Sequence, residues 1–548
     1  MLVITIGIVF ASFLPLSDCL IPRICSRNVT LSNSTCCPIY NDFVCGGPFR
    51  GSCEVSILFQ NHTEHSDVIT GKLENDDRLN WPSRFFKFLC SCKSNYDGIA
   101  CDKCKSGWQG ENCEVVSPRK IRQNILNMRS YDVFIFLSIL NISKYQLADF
   151  LITNSSSNLH CDPVNEDNIQ LVNASIYDTM VYLHFYASRS TMSKELMESC
   201  TDKDNKLDFA HKGPAFFTWH RHYLLMFEDL LRSIAVEQFG YYNFTLPYWD
   251  WTNQITCNIC TNDLLGDIPT EDQESNSTFF KWKPICPQKP NDFDCHICDP
   301  SQEEPFLWRK YSSTVDRLPN QNEIDELFSI NQYDSEPFNS SSFSRKSFRN
   351  FAEGYYRVHP NSDDMKMKDI GKGLPHQNIM MHNMVHSFIN GTWMDFTTSP
   401  NDPLFLLHHT FMDKIFEIWL LRNRRSTYPG KSSTPIGQHA DDFIVPFLPL
   451  IRNRNLFTSA NEFGYAYDNN IVGNKLFTNH QLDFEKSSSE IYYILTAVAF
   501  VVLVAIVVGL YCFRPSQISH TAYEFIEDQE QEEKTNYFNN NEKMPLLK

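Results

Sequence analysis

Residues 376–413 read HQNIMMHNMVHSFINGTWMDFTTSPNDPLFLLHHTFMD, and the interpretation of the whole chain starts from them. His382 and His386 are four residues apart, so on a helix both imidazoles lie on the same face. His408 and His409 follow an apolar run a short distance downstream. A neutral imidazole offers one lone pair to a metal. The pair and one further histidine therefore predict a three-nitrogen metal site with an open position.

A single His-x-x-x-His pair is more often structural than metal-binding, and a second group of histidines changes that balance. His184 lies in YDTMVYLHFYASR, and His211 and His220 lie in FAHKGPAFFTWHRHYLL. Buried imidazoles need hydrogen-bond partners, so two such groups are hard to explain as core histidines. On a helix His220 and His222 diverge, so only one of them can point at a metal. Two facing groups would form a binuclear metal site.

Length, charge and cysteine content limit the class of protein. The chain has 548 residues, enough for a large core and two or more domains. Its net charge of −17 argues against a nucleic-acid partner. Ten of its 19 cysteines lie between Cys25 and Cys113, which predicts a disulfide-linked module of an oxidising, secretory compartment. A zinc site on Cys101 and Cys104 is the alternative, which an oxidising lumen disfavours.

Two apolar runs and the glycosylation sequons predict the topology. Residues 1–18 have the length of a signal peptide, and residues 491–513 are long enough to cross a bilayer as a helix. All ten N-x-Ser/Thr sequons precede residue 400, which indicates a lumenal body and a cytosolic tail. The predicted glycosylation sites are Asn28, Asn33, Asn61, Asn141, Asn154, Asn173, Asn243, Asn276, Asn339 and Asn390.

Four motifs resemble those of the animal tyrosinase family of type-3 copper proteins, and the resemblance covers nearly the whole chain. They are FAHKGPAFFTWHRHYLL, YWDW at Tyr248–Trp251, MHNMVHSFINGT and NDPLFLLHHTFMD. The resemblance implies a mainly α fold with a four-helix-bundle core around a binuclear metal site, an N-terminal Cys-rich EGF-like module and a single C-terminal transmembrane helix. We therefore expect a signal peptide (1–18), the Cys-rich module (19–118), the catalytic domain (119–468), a lumenal stem (469–490), the transmembrane helix (491–513) and a cytosolic tail (514–548).

The resemblance also implies which histidines bind metal. His184, His211 and His220 would bind one ion, and His382, His386 and His409 would bind the other. Two copper ions are expected, because imidazole suits copper and copper supports the redox chemistry of the family. Some close relatives carry zinc, which has no redox chemistry and could not activate O2. In this family Cys257 and Cys260 look like a local disulfide.

Further residues take their expected roles from the same resemblance. Glu353 and the Asn383 amide would hold a water that takes the proton of a phenol, so that the phenolate can bind copper. Phe405 would pack over the site, and Phe396 and Ser399 lie where the family contacts substrate. The predicted supporting residues are His408, beside the ligands, and Asp413, as an anchor of a ligand imidazole.

The motifs of two branches of the family are mixed in this chain. The pair His408-His409 and YWDW favour tyrosinase, which uses O2 to convert L-tyrosine and L-DOPA to dopaquinone in melanin synthesis. HSFINGT, SPNDP and EGY resemble the related proteins that act on dopachrome or dihydroxyindoles, some with zinc. A non-catalytic melanosomal partner and a hemocyanin-like oxygen carrier are the remaining alternatives, and a membrane anchor disfavours the carrier.

The tail predicts sorting to an organelle. Glu542, Leu546 and Leu547 resemble an acidic dileucine signal, and Tyr523–Ile526 resembles a tyrosine-based one. Both motifs indicate cytosolic adaptor complexes as partners. The expected protein is therefore a single-pass type I membrane protein of the melanosome or a related endolysosomal organelle, with its catalytic domain in the lumen.

Overall fold

The computed structural model describes the greater part of the chain up to Phe477. The described residues are 20–26, 34–56, 78–79, 81–83, 86–154, 170–189, 207–268, 277–287, 298, 306–313, 315–336, 338, 346–354, 381–430 and 434–477. The predicted signal peptide, membrane helix and sorting tail lie outside these residues, and so do the sequons at Asn28, Asn33, Asn61, Asn276 and Asn339. Within the described residues no helix has the length and apolar character needed to cross a bilayer.

The N-terminal module consists of short strands held together by disulfides. Its strands are β1 (Ile21–Pro22), β2 (Thr35–Cys36), β3 (Ile39–Tyr40), β4 (Phe43–Val44), β5 (Gly51–Val55), β6 (Phe88–Cys92), β7 (Tyr96–Asp97), β8 (Lys103–Cys104), β9 (Trp108–Gln109) and β10 (Val115–Val116). Strand β6 lies between β2 and β5, whereas β3 pairs with β4, β7 with β8 and β9 with β10.

All ten cysteines of this module are paired, which confirms the predicted disulfide module. The bonds are Cys25–Cys36, Cys37–Cys53, Cys45–Cys90, Cys92–Cys101 and Cys104–Cys113. The alternative of a zinc site on Cys101 and Cys104 is wrong, because each sulfur is already bonded to another cysteine. The expected local bond between Cys257 and Cys260 is also present.

The rest of the described chain is mainly helical. Its α-helices are α1 (Ser130–Ser143), α2 (Ile176–Ser188), α3 (Ala215–Phe239), α4 (Gln321–Ser329), α5 (Phe348–Glu353), α6 (Met381–Ile389), α7 (Leu404–Arg422) and α8 (Asn453–Leu456). The remaining strands are β11 (Lys120–Arg122), β12 (Leu147–Asn154), β13 (Gln170–Ser175), β14 (Tyr465–Tyr467), β15 (Ile471–Val472) and β16 (Lys475–Leu476).

Local sequence explains where the helices near the site begin and end. The Ser175 hydroxyl accepts the N–H of Asp178 at 3.0 Å and caps α2 at its start. Helix α3 ends at Gly240, which adopts the left-handed conformation at φ +60° that glycine tolerates best. Helix α7 is buried on all its faces from Leu404 to Leu420, so it forms the centre of the helical body.

A buried ion network joins the start and the end of this body behind the helices. Strands β11 and β14 pair in parallel, with Lys120 opposite Tyr465. The Arg122 guanidinium donates to Glu228 of α3 at 2.8 Å and to Asp413 of α7 at 3.1 Å. These three side chains are almost completely buried. Glu228 is therefore a paired structural charge.

The catalytic body extends beyond the boundary predicted at residue 468. Strands β15 and β16 form a hairpin within the segment that we predicted to be the lumenal stem. Val472 is fully buried, and the Phe477 ring lies 4.2 Å from that of Phe328 in α4. Because these side chains pack on the helices, the body includes the chain at least as far as Phe477.

Four of the described sequons lie at or near the surface. Asn173 and Asn243 are exposed, and Asn141 and Asn390 are partly exposed. Asn154 ends strand β12. Glycosylation at these positions stays a prediction.

Candidate metal centre

Five of the six predicted ligands lie on helices, and the sixth lies on the loop that enters α3. Helix α2 carries His184, α3 carries His220, α6 carries His382 and His386, and α7 carries His409. His211 precedes α3 on a loop that includes Gly213 and Pro214. Three segments far apart in sequence thus bring histidines to one region.

The first three histidines form one compact cluster, here called site A (His184, His211, His220). The ring centroids of His184 and His211 are 5.1 Å apart, those of His211 and His220 are 5.1 Å apart, and those of His184 and His220 are 5.7 Å apart. One ring nitrogen from each residue lies within 4.8 Å of the others, and all three residues are buried. The spacing allows one ion to contact all three.

The outer nitrogens of site A are each held by an oxygen. Nδ1 of His184 lies 2.8 Å from the carbonyl of Thr397, and Nδ1 of His220 lies 2.7 Å from that of Phe216. Carbonyl oxygens only accept, so each Nδ1 donates its proton and each Nε2 keeps its lone pair. Nε2 of His184 and His220 is buried and has no hydrogen-bond partner. A metal ion would satisfy both nitrogens, so these residues fit one.

In site B (His382, His386, His409) two of the three imidazoles are oriented through Nδ1, whereas Nδ1 of His409 is buried without a partner. Nδ1 of His386 donates to the carbonyl of Trp393 at 3.1 Å, and Nδ1 of His382 lies 2.8 Å from the side-chain oxygen of Asn383. Nε2 of His382 and Nε2 of His409 are 3.2 Å apart. Two nitrogens bound tetrahedrally at 2.0–2.1 Å would be about 3.3 Å apart, so the spacing matches a shared metal ion.

His408 lies within the same group of histidines but has the opposite orientation. The indole N–H of Trp251 donates to its Nδ1 at 3.0 Å. A neutral ring that accepts at Nδ1 carries its proton on Nε2, so this nitrogen has no lone pair for a metal. The hydrogen bonds therefore separate His408 from the three ligands of site B. Its role as a supporting residue beside the ligands stays a prediction.

The two sites face each other. The rings of His220 and His409 are stacked with centroids 4.4 Å apart. The Phe216 ring lies between the sites, 4.9 Å from His220 and 5.0 Å from His382. Two ions bound in sites A and B would share one chamber, so the geometry is that of a binuclear centre.

Burial keeps the ligand imidazoles neutral. It lowers the pKa of His184 to about 3 and that of His386 to about 4. It holds the pKa of His220, His382 and His409 well below its ordinary value. A neutral imidazole already has a free lone pair, so a metal ion does not have to displace a proton from it. These five residues can therefore bind a metal ion at neutral pH.

Glu353 lies next to site A but has protein partners of its own. It is buried, and its two oxygens accept the backbone N–H of Lys212 and the guanidinium of Arg349, both at 2.7 Å. Burial raises its pKa, although Arg349 opposes the effect. Each oxygen keeps a second lone pair, so both contacts are compatible with a bound water. The predicted water between Glu353 and Asn383 stays a prediction.

Asp413 does not anchor an imidazole, so that expectation is wrong. Its carboxylate accepts from Arg221 at 2.6 Å, from Arg122 at 3.1 Å, and from the hydroxyls of Tyr465 and Tyr467 at 2.6 and 2.7 Å. The physical reason is charge: two buried guanidinium groups attract the carboxylate more strongly than a neutral ring does. Arg221 directly follows His220 in the sequence.

The predicted pocket residues lie at different depths. Phe405 stacks on His409 with ring centroids 3.9 Å apart and covers the site as expected. Phe396 is 43% exposed, and its ring lies 6.2 Å from that of His211, which places it at the rim of site A. Ser399 is buried in the turn Ser399–Asn401. Contacts of Phe396 and Ser399 with substrate stay predictions.

His222 is not a ligand in this arrangement. The His222 ring lies 4.6 Å from Phe447, on a different side of α3 from His220. His359 and His376, which we expected not to bind metal, lie outside the described residues.

Several functional neighbours were missed in the sequence. Asp208 contacts Nδ1 of His211 at 3.1 Å, and its position three residues before that histidine was the available signal. The carbonyls of Thr397, Phe216 and Trp393 carry no signal, because every residue has one.

Comparisons with known proteins identify relatives of this chain. Residues 174–422 match the family model described as the common central domain of tyrosinase. A tyrosinase of Gallus gallus is 33% identical over 463 residues, which cover 82% of this chain and 81% of the relative. A 5,6-dihydroxyindole-2-carboxylic acid oxidase of Bos taurus is 33% identical over 469 residues, with 82% of each chain covered. A polyphenol oxidase of Thermothelomyces thermophila has a TM-score of 0.40 at 16% identity, covering 64% of this chain and 90% of that one.

The fold and the paired histidine sites define an oxidase of the type-3 copper class. The chain belongs to the tyrosinase family. Its relatives imply a binuclear copper site, and the two histidine clusters lie where such a site requires them.

Proposed function

We propose that this protein is a copper monooxygenase and oxidase that converts L-tyrosine and L-DOPA to dopaquinone in melanin synthesis. The observation that supports the proposal best is the pair of facing clusters whose Nε2 atoms converge. Copper bound there would supply the activation of O2 and the electron transfer. The chain itself would orient the phenol, exclude water and accept a proton.

The residues around the centre have distinct tasks in this proposal. Phe405 covers His409 and keeps water from that side of the chamber. Glu353 and Asn383 would hold the water that accepts the phenol proton. The raised pKa of Glu353 brings its basicity closer to that of a useful proton acceptor near neutral pH. A four-helix bundle of α2, α3, α6 and α7 would keep the two sites at a fixed distance.

A second candidate activity is the oxidation or isomerisation of dihydroxyindole or dopachrome intermediates, with copper or zinc. A relative that is 33% identical is named for 5,6-dihydroxyindole-2-carboxylic acid, which makes this candidate specific. Phe396 lies at the rim of site A, where its side chain would help to decide which of the two substrate classes enters. A non-catalytic partner of a melanosomal oxidase is the third candidate. If this third candidate is right, the protein should bind metal but turn over none of these substrates.

The cellular setting belongs to the proposal as well. Residues 491–513 would anchor the chain in the membrane of a melanosome or related endolysosomal organelle, with the catalytic domain in the lumen. The tail would bind cytosolic adaptor complexes through Glu542, Leu546 and Leu547. The partners at the active site would be O2 and a small phenol or catechol, and the negative net charge disfavours nucleic acid.

Oxygen uptake by the detergent-solubilised full chain, loaded with copper, tests the proposal. Uptake with L-tyrosine and formation of a quinone would support it. Uptake with L-DOPA alone would indicate a catechol oxidase. No uptake with either substrate would refute it, and turnover of dopachrome or dihydroxyindole carboxylic acid by the copper or zinc form would favour the second candidate.

A further inference from the structure

The loop that carries His211 is held by one side chain from the far end of the catalytic body. Gln438 is 1% exposed and lies 227 residues after His211. Its amide nitrogen donates to the carbonyl of Asp208 at 2.7 Å and to that of His211 at 2.8 Å. Its amide oxygen accepts the N–H of Ala215 at 3.1 Å. Both N–H groups and the oxygen of this amide are therefore used on the same short segment.

The contact with Ala215 also supports helix α3. Ala215 is the first residue of that helix, and the first N–H groups of a helix have no acceptor within it. The residue before it is Pro214, which makes no side-chain capping hydrogen bond. Gln438 supplies the missing acceptor. A single amide thus fixes both the loop of His211 and the start of the helix that carries His220.

Two glycines allow the segments to come this close. A Cβ atom on Gly213 would lie 2.3 Å from the amide oxygen of Gln438. A Cβ atom on Gly437, whose φ is +79°, would lie 2.1 Å from the Phe209 ring. The loop 207–213 and the segment 435–439 therefore interlock at two points. Steric contact and hydrogen bonds together set the position of Gln438.

We propose that Gln438 is a positioning residue for site A, which fixes His211 relative to His220 so that both can bind one ion. His184 does not depend on this contact, because it lies on α2 and is held by Thr397. Site B has its own supports at Asn383 and Trp393. Loss of the Gln438 amide should therefore weaken site A selectively. The inference rests on the metal-binding part of the proposed function and not on its substrate.

The test replaces Gln438 by leucine, which keeps the approximate volume and removes all three hydrogen bonds. Loss of a residue that orients a metal ligand typically lowers metal affinity by about 10- to 100-fold. At a buffered free-metal concentration just above the wild-type dissociation constants, we expect the full chain to lose about half of its bound metal, measured for copper and zinc together by mass spectrometry. An isolated Cu(II) ion gives an electron paramagnetic resonance signal, whereas a coupled pair does not. The variant should therefore gain this signal.

Asn453 provides a matched control. It is fully buried, donates to the carbonyls of Gly437 and His439 at 3.1 and 2.9 Å, and accepts the Thr218 hydroxyl at 2.9 Å. Its amide thus joins the same segment to α3 without touching the His211 loop. Asn453→Leu should lower the thermal midpoint but keep the full metal content and the silent spectrum. Full metal content in Gln438→Leu, or equal metal loss in both variants, would overturn the inference.

Gln438→Glu is a second test of the same inference, for use if the leucine variant does not fold. Glutamate keeps the length and the acceptor for Ala215 but cannot donate to the carbonyls of Asp208 and His211. We expect the same selective loss from site A, and unchanged metal content would count against the role. A wild-type protein that binds both ions but oxidises neither L-tyrosine nor L-DOPA would refute the proposed activity alone.

Discussion

Replacing Asp413 by asparagine removes the anion at the centre of the buried network behind the metal ligands. The carboxylate accepts four hydrogen bonds, from Arg221, Arg122, Tyr465 and Tyr467. Both arginines are completely buried at their guanidinium groups, so neither can turn to water when the charge is lost. Asparagine accepts through one oxygen only and presents an NH2 group to a cation.

The magnitude follows from what remains around the two cations. Breaking a buried ion pair by removing one partner costs about 3–5 kcal/mol. Arg122 keeps Glu228 at 2.8 Å and Arg221 keeps Glu417 at 3.3 Å, so each cation retains a counter-charge. We therefore expect the lower end of that range, about 3 kcal/mol. Denaturant unfolding of the purified full chain, followed by tryptophan fluorescence, should show a lower midpoint at an unchanged slope.

An exposed carboxylate on α3 provides the control. Asp229 pairs with Arg232 and its side chain is 55% exposed, so Asp229→Asn should cost no more than about 1 kcal/mol. If Asp413→Asn costs no more than this control, the buried network contributes no net stability and the reasoning fails.

The same network predicts a dependence on acid. Burial by itself raises the pKa of Asp413, but Arg221 and Arg122 outweigh it and hold the pKa below its ordinary value. A carboxyl with a depressed folded-state pKa stabilises the protein above its unfolded pKa of about 3.9, and this contribution is lost as the pH falls through the folded value. Asp413→Asn should therefore cost most above about pH 4 and progressively less below it.

The remaining predictions concern the site itself. His386→Ala should abolish oxidase activity while the chain stays folded, because a ligand of site B is lost; oxygen uptake and circular dichroism measure the two outcomes, and full activity would contradict the ligand assignment. Trp251→Phe removes the donor to Nδ1 of His408 and should cost about 1–3 kcal/mol in chemical denaturation, since a buried acceptor is left without a partner. Lys212, whose ammonium lies 5.4 Å from the centre of the Phe396 ring, should attract carboxylated substrates. Lys212→Met should raise KM for L-DOPA about fivefold and leave KM for dopamine unchanged, because a partly exposed charge pair contributes up to about 1 kcal/mol; equal changes for both substrates would argue against an electrostatic role.

The identity of the metal ligands could be predicted from sequence because their chemistry is in their side chains. His382 and His386 follow from helical spacing, and the resemblance to the tyrosinase family supplied the rest of the set. The orientation of the rings could not be predicted in the same way. Nδ1 of His184 is held by a backbone carbonyl 213 residues away, and backbone groups leave no trace in a sequence.

Sequence-based prediction of the rest of the fold is also limited for physical reasons. The density of cysteines predicts the disulfide module. Even eight cysteines can pair in about 105 ways, and the module has ten, so the spacing of the cysteines cannot single out the bond Cys45–Cys90. A carboxylate close to a metal ligand, such as Asp413 one helical turn after His409, can either accept a hydrogen bond from the ligand imidazole or pair with a neighbouring cation. The choice depends on Arg122, which lies on a strand distant in sequence and donates to Asp413 in the folded protein.

The two metal sites differ in the sequence separation between their histidines and the groups that orient them. His382, His386 and the groups that orient them, Asn383 and Trp393, lie within one short stretch. Site A needs the Thr397 carbonyl from that same stretch and the Gln438 amide from beyond it. Contacts distant in sequence require closure of long loops before they stabilise anything. Site B can therefore form from its own segment, whereas site A is complete only when the last part of the catalytic body is in place, and it should be the first site to lose metal when the contacts of Gln438 are broken.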